Sequence, residues 1–438
     1  MRRYVIIGNG VAGFAAAEAI REQDSSGEVL IIGDDPHGFY SRPGLAYFIS
    51  GEISERFLFP FSEEDERRKA IQRRRARAVS IDPVAHRVAL SDGTAAPYDR
   101  LLLVTGAVAD SLRVPGFDLE GVVKLDHLDD ALHILELARK RRTAVVVGGG
   151  ITALELVEGL VARAVHTHYF LRGERYWSNV LDETESRIIE QRLQEHGVEL
   201  HFQTELAEIA GHRGKVVGAR TKDDLLVPCQ IVGAAIGIHP RKELAEGCGL
   251  KTGRGILVDE YLRTNDPDIF AAGDVAQFFD RHTGQTHLDS LWGTARQQGR
   301  AAGLNMSGAQ VPYEKKLALN VTRLAGITTT IIGMVGGGRD ADLAGIARGD
   351  SETWRQANDS ITVQEGSKSN RLRLLVGRQA ITGALIMGNQ AYSQPLQEMV
   401  TARTDISPIR EKLLRPGAPL GGLVVDFWNK WKKGYAPQ

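Results

Sequence analysis

The stretch Gly8-Asn9-Gly10-Val11-Ala12-Gly13 decides the fold class of this chain, and Gly148-Gly149-Gly150-Ile151-Thr152-Ala153 repeats its pattern. Each stretch follows a short apolar run that predicts a strand, at residues 4–7 and 144–147, and each opens a helical pattern. Glycine permits the tight turn and lets backbone N–H groups approach a pyrophosphate, which the positive end of the helix stabilises. Two such turns predict two Rossmann-like units that bind two dinucleotides.

An acidic residue stands at the end of the next predicted strand, residues 29–32. Asp34 is at the position from which a carboxylate reaches the ribose hydroxyls of an adenosine. An ordinary solvated turn is the alternative, because Gly33-Asp34-Asp35-Pro36 has the composition of a turn. The residues of the first unit that we predict to contact a cofactor are Gly8, Gly10, Val11, Ala12, Gly13 and Asp34.

Four further segments carry a resemblance to a known family. Residues 264–276, TNDPDIFAAGDVA, resemble the second FAD motif of the pyridine nucleotide-disulphide oxidoreductase superfamily, and residues 98–107, YDRLLLVTGA, resemble its strand and TGA turn. Residues 39–45, FYSRPGL, resemble a segment of ferredoxin reductases, rubredoxin reductases and nitrite reductase flavoproteins, and residues 292–303 are similar to the family's helix that runs toward the flavin. The resemblance implies FAD in the first unit, with contacts from Arg42, Pro43, Thr105, Gly106, Ala107, Gly273, Asp274 and Trp292.

The resemblance also implies individual roles. Asp274 would bind the ribityl chain of the flavin, Arg42 would contact FAD, and Trp292 begins a helix whose positive end faces the flavin ring. Relatives often have Leu-Ser-Lys where this chain has Leu45-Ala46-Tyr47. The role of that lysine therefore does not carry over, and Tyr47 takes its position beside the flavin.

Cysteine usage separates this chain from the disulphide reductases of the superfamily, which carry reactive cysteines close to the segment at 39–45. The only two cysteines of the chain are Cys229 and Cys248, far from that segment. A dithiol relay is therefore excluded. Two cysteines without regular spacing also indicate a reducing compartment and offer neither a zinc nor an iron-sulphur site, so we predict no metal ligands.

The second glycine turn is expected to hold NADH or NADPH, because a nicotinamide nucleotide and a flavin are the minimal pair for hydride transfer. By resemblance, Glu155 faces the nicotinamide amide, and the strand end at residues 235–240, which includes Gly237, closes over it. A first-turn glutamate favoured by the helix dipole is the alternative for Glu155.

Arg172 stands at the end of the following predicted strand, residues 167–172, where an acid would bind both ribose hydroxyls. Together with Arg175 and with Ala153 as the third fingerprint residue, it favours the 2′-phosphate of NADPH. NADH stays open, because surface arginines are common. The predicted contacts of this nucleotide are Gly148, Gly150, Ile151, Glu155, Arg172, Arg175 and Gly237.

The chain has 438 residues, of which 42% are hydrophobic, and this is enough for several cores. We expect an α/β fold in which an FAD-binding domain, residues 1–111 and 243–311, is interrupted by an NAD(P)H-binding domain, residues 112–242. For residues 312–438 we predict an α+β interface domain. It would be like the C-terminal domain of the family, which packs over the flavin or mediates dimerisation. Its expected elements are strands at residues 328–335, 361–363, 371–376 and 380–387 and a helix at residues 393–401.

Charge and hydropathy exclude several function classes. A net charge of −1 and a pI near 6.9 argue against a dedicated nucleic-acid binder. The chain opens directly with a strand, so we expect no signal peptide, and its most apolar window, residues 145–162, contains Glu155 and Glu158. A cytoplasmic protein is expected.

We predict an FAD-dependent NAD(P)H oxidoreductase that passes hydride from NAD(P)H to flavin and then electrons to a protein acceptor. The chain would stack the nicotinamide on the flavin and exclude water, so no side chain is predicted to be catalytic. The alternatives are a soluble NADH oxidase, a membrane-associated NAD(P)H:quinone reductase, and a noncatalytic flavoprotein subunit or redox sensor.

Two segments bear on partners. The basic segment, residues 66–77, is either a solvated helix face or a docking patch for an acidic carrier such as a ferredoxin or rubredoxin. The tail, residues 420–435, has apolar residues and lysines at helical spacing, which predicts an amphipathic helix. That helix would pack on its own protein or a dimer mate, or bind a partner subunit or a membrane surface. A homo-oligomer or a larger complex is expected.

Overall fold

The computed structural model describes residues 1–61, 64–65, 69–139, 142–280, 285–336, 348–355, 359–367 and 369–434. Strands and helices are numbered in chain order. The strands are β1 (Arg3–Ile7), β2 (Glu28–Gly33), β3 (Ile71–Arg75), β4 (Ala78–Asp82), β5 (Arg87–Leu90), β6 (Ala95–Pro97), β7 (Arg100–Leu103), β8 (Ala107–Ala109), β9 (Val122–Val123), β10 (Thr143–Val147), β11 (His166–Phe170), β12 (Glu199–His201), β13 (Leu206–His212), β14 (Lys215–Thr221), β15 (Leu226–Pro228), β16 (Ile231–Ala234), β17 (Ile238–Pro240), β18 (Ile256–Val258), β19 (Ile269–Ala271), β20 (Ala276–Asp280), β21 (Gln285–His287), β22 (Leu319–Leu324), β23 (Ile327–Gly333), β24 (Ile361–Ser367), β25 (Asn370–Val376) and β26 (Ile381–Met387). The α-helices are α1 (Val11–Gln23), α2 (Gly44–Ser50), α3 (Leu128–Leu137), α4 (Ile151–Ala162), α5 (Glu183–Glu195), α6 (Glu243–Gly247), α7 (Trp292–Met306), α8 (Ser393–Thr401), α9 (Ser407–Leu413) and α10 (Leu420–Gly434).

The first sheet is parallel, with the strand order β19-β7-β1-β2-β3. Strand β1 is an almost continuous apolar run and is buried from Tyr4 to Ile7, as expected for a parallel strand covered on both faces. Helices α1 and α7 contact each other and strands of this sheet. The first glycine turn lies between β1 and α1, so the sheet holds that turn in place.

The second sheet is also parallel, with the order β12-β11-β10-β16-β9, and the second glycine turn joins β10 to α4. All strands of this sheet lie between β7 and β19 in the chain, so the second unit is inserted into the first. Strands β8 and β17 pair antiparallel where the chain leaves and returns. This nesting confirms the predicted fold class, while the domain boundaries at residues 111 and 242, close to that pair, stay a prediction.

The third sheet is antiparallel, with the order β22-β23-β26-β25-β24. The predicted strands and the helix at 393–401 are all present, and β24 extends four residues beyond the strand predicted at 361–363.

The tail is helical as predicted, and Leu420 and Val424 of α10 are buried in the same hydrophobic cluster as strands of this sheet. Trp428 and Lys432 of the tail both bond Glu398 of α8, so much of the tail's apolar stripe packs on its own chain. Residue 435 lies outside the described residues.

One predicted element is wrong. Of the two interpretations of the basic segment, a solvated helix face or a docking patch, the helix face is wrong, because Ile71–Arg75 is the edge strand β3, paired in parallel with β2. One apolar residue followed by Gln72 and three consecutive arginines shows neither the period of a helix nor that of a strand, and pairing with β2 decides for the strand. Residues 66–68 of that segment lie outside the described residues.

Among the helices that the structure describes, none is both long and apolar enough to cross a membrane.

The contact between α1 and α7 leaves no room for side chains at two glycines of α7. We expect Gly299→Ala to lower the free energy of unfolding by about 1–3 kcal/mol, because its Cβ would lie 2.1 Å from the Ala12 carbonyl oxygen and the helices would have to separate. Gly293→Ala in the same helix is the matched control, since its Cβ would meet nothing within 4 Å and alanine favours helix. Thermal unfolding of the three proteins measures the difference, and equal melting temperatures for both variants would contradict the contact.

Candidate functional site

A cavity of about 1160 Å³ opens where both glycine turns and the third sheet meet. It combines residues that are distant in sequence, from Ile7 to Gly349. Of the residues predicted from sequence, the following line it: Gly8, Gly10, Val11, Ala12, Asp34, Arg42, Pro43, Tyr47, Thr105, Gly106, Ala107, Ile151, Glu155, Gly273, Asp274 and Trp292.

Six predicted residues do not line the cavity: Gly13, Gly148, Gly150, Arg172, Arg175 and Gly237. The glycines among them shape the backbone of the turns. Arg172 is exposed beyond the end of β11. Arg175 donates hydrogen bonds to the carbonyls of Leu181 and Ser178, so this arrangement gives it a structural role and does not support the predicted contact with a 2′-phosphate.

The two glycine turns have the same geometry. Gly8 has φ +124° and Gly148 has φ +144°, a region that favours glycine. A Cβ on Gly8 would lie 2.1 Å from the Val104 carbonyl oxygen, and one on Gly148 would lie 2.1 Å from the Ala235 carbonyl oxygen. In both units the turn therefore presses against the backbone that follows the neighbouring strand, and only glycine fits.

The first turn is open toward the cavity on its other side. A Cβ on Gly10 would meet nothing within 4 Å, and Gly10 precedes the first residue of α1. The Oδ1 atom of Asn9, which also lines the cavity, is buried and has no hydrogen-bond partner within the protein. A free helix N-terminus fits the pyrophosphate of a dinucleotide, whose oxygens accept hydrogen bonds, and the unsatisfied Asn9 Oδ1 can accept a hydrogen bond from a hydroxyl group of the same molecule, so the residues present fit FAD.

Asp274 is held in a defined position at the other end of this site. The Gly273 N–H donates to Gln298 Oε1 at 2.8 Å, and Ser290 Oγ donates to Asp274 Oδ2 at 2.9 Å. Burial raises the pKa of Asp274 although the charge of Arg348 opposes this. A buried carboxyl with a fixed orientation is suited to accept hydrogen bonds from the hydroxyls of a ribityl chain.

Trp292 begins α7 at the edge of the cavity. Its ring lies in a stacked arrangement with Phe39, with 6.0 Å between the centroids, and Phe39 continues the stack toward Phe14. Leu291 and Ala295 of the same helix end also line the cavity. The N-terminal end of α7, with its positive dipole, therefore opens toward the cavity.

A cluster of charged residues on one wall was not predicted. Asp126 is fully buried and forms ion pairs with Arg348, with Arg42 at 3.9 Å and with Arg241 at 3.9 Å, while His127 lies beside it. Burial alone would raise the pKa of Asp126, but Arg348, His127 and Arg42 outweigh it and hold the pKa below its usual range. All five residues line the cavity. They bring three guanidinium groups to a site that has to hold phosphates.

No local pattern in the sequence marks this cluster. Arg348 lies in the C-terminal region that contains the third sheet, and Arg241 directly follows β17, where the chain returns to the first unit. Only the tertiary structure brings these two residues close to Arg42. Asp126 and His127 precede helix α3, where they read as ordinary polar residues near a helix start. The burial of Asp126 gives the one signal of a role, and burial is invisible at the level of the sequence.

Glu155 and Tyr47 face the cavity from neighbouring helices. Burial, and after it the Glu158 carboxyl, raises the pKa of Glu155 to about 8. Burial and the charge of Glu155 raise the pKa of Tyr47. With no lysine in place of Tyr47, no neighbouring cation outweighs the burial of Glu155, so at neutral pH this carboxyl is predominantly protonated.

The basic segment borders the cavity. Arg75 and Arg77 line the same cavity as Asp34, and Arg77 Nε lies 3.3 Å from Asp34 Oδ2. Arg74 forms an ion pair with Asp92 at 2.7 Å. This segment therefore points at the nucleotide end of the cavity, and its charge is partly neutralised, so the structure gives little support to a docking patch for a protein carrier there.

Comparison with known proteins identifies the same family as the sequence motifs. The profile of the family described as pyridine nucleotide-disulphide oxidoreductase matches residues 2–299. Rhodocoxin reductase from Rhodococcus erythropolis is 33% identical over 313 residues, which are 70% of this chain and 73% of that protein. The ferredoxin–NAD(+) reductase component of the biphenyl dioxygenase system from Paraburkholderia xenovorans is 31% identical over 355 residues, 80% of this chain and 84% of that protein.

A solved structure shows the same fold over the full length. The crystal structure of the ferredoxin reductase for the CYP199A2 system from Rhodopseudomonas palustris has a TM-score of 0.85 at 24% identity. The match covers 97% of this chain and 100% of that chain. The predicted family and the predicted pair of cofactors, FAD and a nicotinamide nucleotide, are confirmed. This chain belongs to the pyridine nucleotide-disulphide oxidoreductase family and is an FAD-dependent NAD(P)H oxidoreductase.

Proposed function

We propose that this protein is a reductase that takes electrons from NAD(P)H and delivers them to a small redox protein of the ferredoxin or rubredoxin kind. One observation carries the proposal. The first glycine turn and Ile151 and Thr152, which directly follow the three glycines of the second turn, line one cavity, and neither Cys229 nor Cys248 lines it. Electrons therefore have no dithiol within the chain to go to, and an external acceptor has to collect them.

The residues of the cavity bind and orient the reactants. Bound FAD would supply the chemistry, since it accepts a hydride and releases electrons singly. The first glycine turn, Asp34 and the guanidinium groups around Asp126 would hold the phosphates and the ribose. Asp274, fixed by Ser290, would hold the ribityl chain. Trp292 and the apolar wall exclude water from the face where the nicotinamide has to stack.

Glu155 would orient the nicotinamide from the second unit. A protonated carboxyl donates one hydrogen bond and accepts another, so it matches both groups of a carboxamide. Among the described residues, an ionised Glu155 would have no cation to pair with it, because Glu158 is also acidic and Arg348 is paired with Asp126. The neutral form of Glu155 is therefore the one that fits the nucleotide at pH 7.

The nucleotide preference rests on Arg172 alone, since Arg175 is occupied by backbone carbonyls. An exposed arginine at the end of β11 favours a 2′-phosphate, so we propose a preference for NADPH over NADH. A cytoplasmic location, self-association and a further contact of the tail stay predictions.

The identity of the acceptor can be tested by anaerobic stopped-flow spectroscopy of the purified holoprotein. We expect one noncovalently bound FAD per chain, rapid reduction by NAD(P)H, and reoxidation by a [2Fe–2S] ferredoxin or a rubredoxin that is at least about tenfold faster than reoxidation by oxygen or by a soluble quinone. Faster reoxidation by oxygen would establish an NADH oxidase, and faster reoxidation by quinone would establish a quinone reductase. Slow reduction with a long-lived charge-transfer complex would contradict an enzymatic role.

The protonation of Glu155 can be tested by thermal unfolding of the holoprotein between pH 5.5 and pH 9. A raised pKa means that the native state keeps a proton that the unfolded state loses, so wild-type stability falls as the pH rises from about 4.5 to about 8. Glu155→Gln removes this penalty, and we expect its advantage over wild type to grow to about 2–4 kcal/mol at pH 9. Glu195→Gln, at an exposed position on α5, is the control and should show no such trend. An advantage for Glu155→Gln that does not change with pH would mean that this carboxyl is ionised throughout.

The preference for NADPH can be tested with Arg172→Glu. Removal of one charge-assisted contact should lower kcat/KM for NADPH about 10- to 100-fold, while kcat/KM for NADH stays unchanged or rises. Arg213→Glu, at an exposed turn of the same unit, controls for a general effect of charge. The assignment is wrong if wild type shows no preference for NADPH and Arg172→Glu changes neither value.

A further inference from the structure

Three histidines and a glutamate lie on one face at the outer edge of the second sheet. His166 and His168 are two residues apart on β11, so their side chains point to the same face. Glu199 and His201 have the same spacing on the edge strand β12, where Glu199 is in register with His168 and His201 with Phe170. Parallel pairing therefore brings all four polar side chains together. None of the four lines the cofactor cavity.

The nitrogen and oxygen atoms of this group, which we call the histidine cluster, are close enough to share one ion. His166 Nε2 lies 3.0 Å from Glu199 Oε1, and His168 Nδ1 lies 3.3 Å from Glu199 Oε2. One ligand atom from each of these three residues lies within 4.8 Å of the other two. Tetrahedral zinc with bonds of about 2.0–2.1 Å keeps its ligand atoms about 3.4 Å apart, so ligand atoms that lie within 4.8 Å of one another would have to approach by at most about 1.4 Å to share one ion.

Hydrogen bonds within the cluster cannot satisfy all of its imidazole nitrogens and carboxylate oxygens at once. His168 Nδ1 faces Glu199 Oε2 and also His201 Nε2, which lies 3.0 Å away. One imidazole N–H can serve only one of these acceptors well, whereas a metal ion can take a lone pair from each ring.

The rings are also held in place by the fold. His201 contacts the ring of Phe170, which is fully buried, with 5.1 Å between the centroids. The His166 and His168 rings meet edge to face at 4.9 Å. Of the four side chains, His168 and His201 are half-buried while His166 and Glu199 are exposed. The cluster is therefore partly preorganised and still open to solvent on the side of the edge strand.

We propose that the histidine cluster is a binding site for a divalent transition-metal ion, of which Zn²⁺ fits best. His166, His168 and Glu199 are the three ligands, and His201 or water completes the coordination. Imidazole with one carboxylate is a ligand set that zinc accepts, while Ca²⁺ and Mg²⁺ prefer oxygen ligands. Binding would tie the three-residue edge strand β12 to β11 and would stabilise that end of the nucleotide-binding unit.

The test uses the holoprotein with full FAD content, after removal of any affinity tag that contains histidine. Zn²⁺ is titrated by calorimetry into wild type, His166→Ala/His168→Ala, Glu199→Gln and His212→Ala. His212 is exposed on β13 of the same unit and outside the cluster, so His212→Ala is the matched control. Zinc K-edge X-ray absorption then gives the ligand set, which the flavin does not obscure. Unfolding in the absence of metal checks that each variant is folded.

We expect one Zn²⁺ per wild-type chain and per His212→Ala chain, bound through nitrogen and oxygen ligands at about 2.0–2.1 Å, and a melting temperature that rises with added Zn²⁺. Glu199→Gln should weaken binding at least about tenfold, and the double variant should lose it. Flavin reduction by NAD(P)H should be the same in Glu199→Gln and wild type, because the cluster lies outside the cavity. Equal affinity for Zn²⁺ in wild type and the double variant would overturn the proposal without affecting the proposed function.

Discussion

The structure depends on the close approach of backbone to backbone at the two glycine turns. At Gly8 and at Gly148 the chain passes so near a neighbouring carbonyl oxygen that a Cβ would lie 2.1 Å from it. The same constraint recurs between helices, where Gly299 and Gly303 of α7 bring their backbone against Ala12 and Ala16 of α1. These contacts place the N-terminal ends of α1 and α7 beside one cavity. The cofactor site is a consequence of how tightly the chain packs at positions without side chains.

Because the second unit is inserted into the first, residues of both units line the cavity. The chain leaves the first sheet after β7, builds the second sheet, and returns through the β8–β17 pair before β19 completes the first sheet. Both glycine turns therefore open on the same space. A hydride donor and a flavin can meet there without any residue acting as acid or base. Positioning and exclusion of water account for what the protein has to contribute.

Charge inside the cavity is arranged by residues from separate parts of the chain. The buried Asp126 forms ion pairs with Arg42, Arg241 and Arg348. It therefore links the first unit, the segment after β17 and the C-terminal region that contains the third sheet. Among the described residues Glu155 has no ion-pair partner, and burial raises its pKa to about 8, so it is predominantly protonated near neutral pH. The cavity thus combines a wall rich in arginine, suited to phosphates, with a neutral acid suited to an amide.

The sequence by itself determined the fold class, the family and the two cofactors, because the glycine turns and the FAD motifs are local patterns whose chemistry depends on a few adjacent residues. Most residues predicted for the first site line one cavity, and their contacts with a cofactor stay predictions. Local pattern failed for the basic segment, because pairing with β2 makes Ile71–Arg75 a strand and not the helix face that was one of its two interpretations. The contact of Arg175 with a nucleotide stays a prediction. Only the tertiary structure decided which arginines surround Asp126, that Glu155 is half-buried beside Glu158, and that His166 and His168 meet Glu199. Each of these depends on contacts between residues far apart in sequence, and burial or pairing of that kind leaves no periodic trace in the chain.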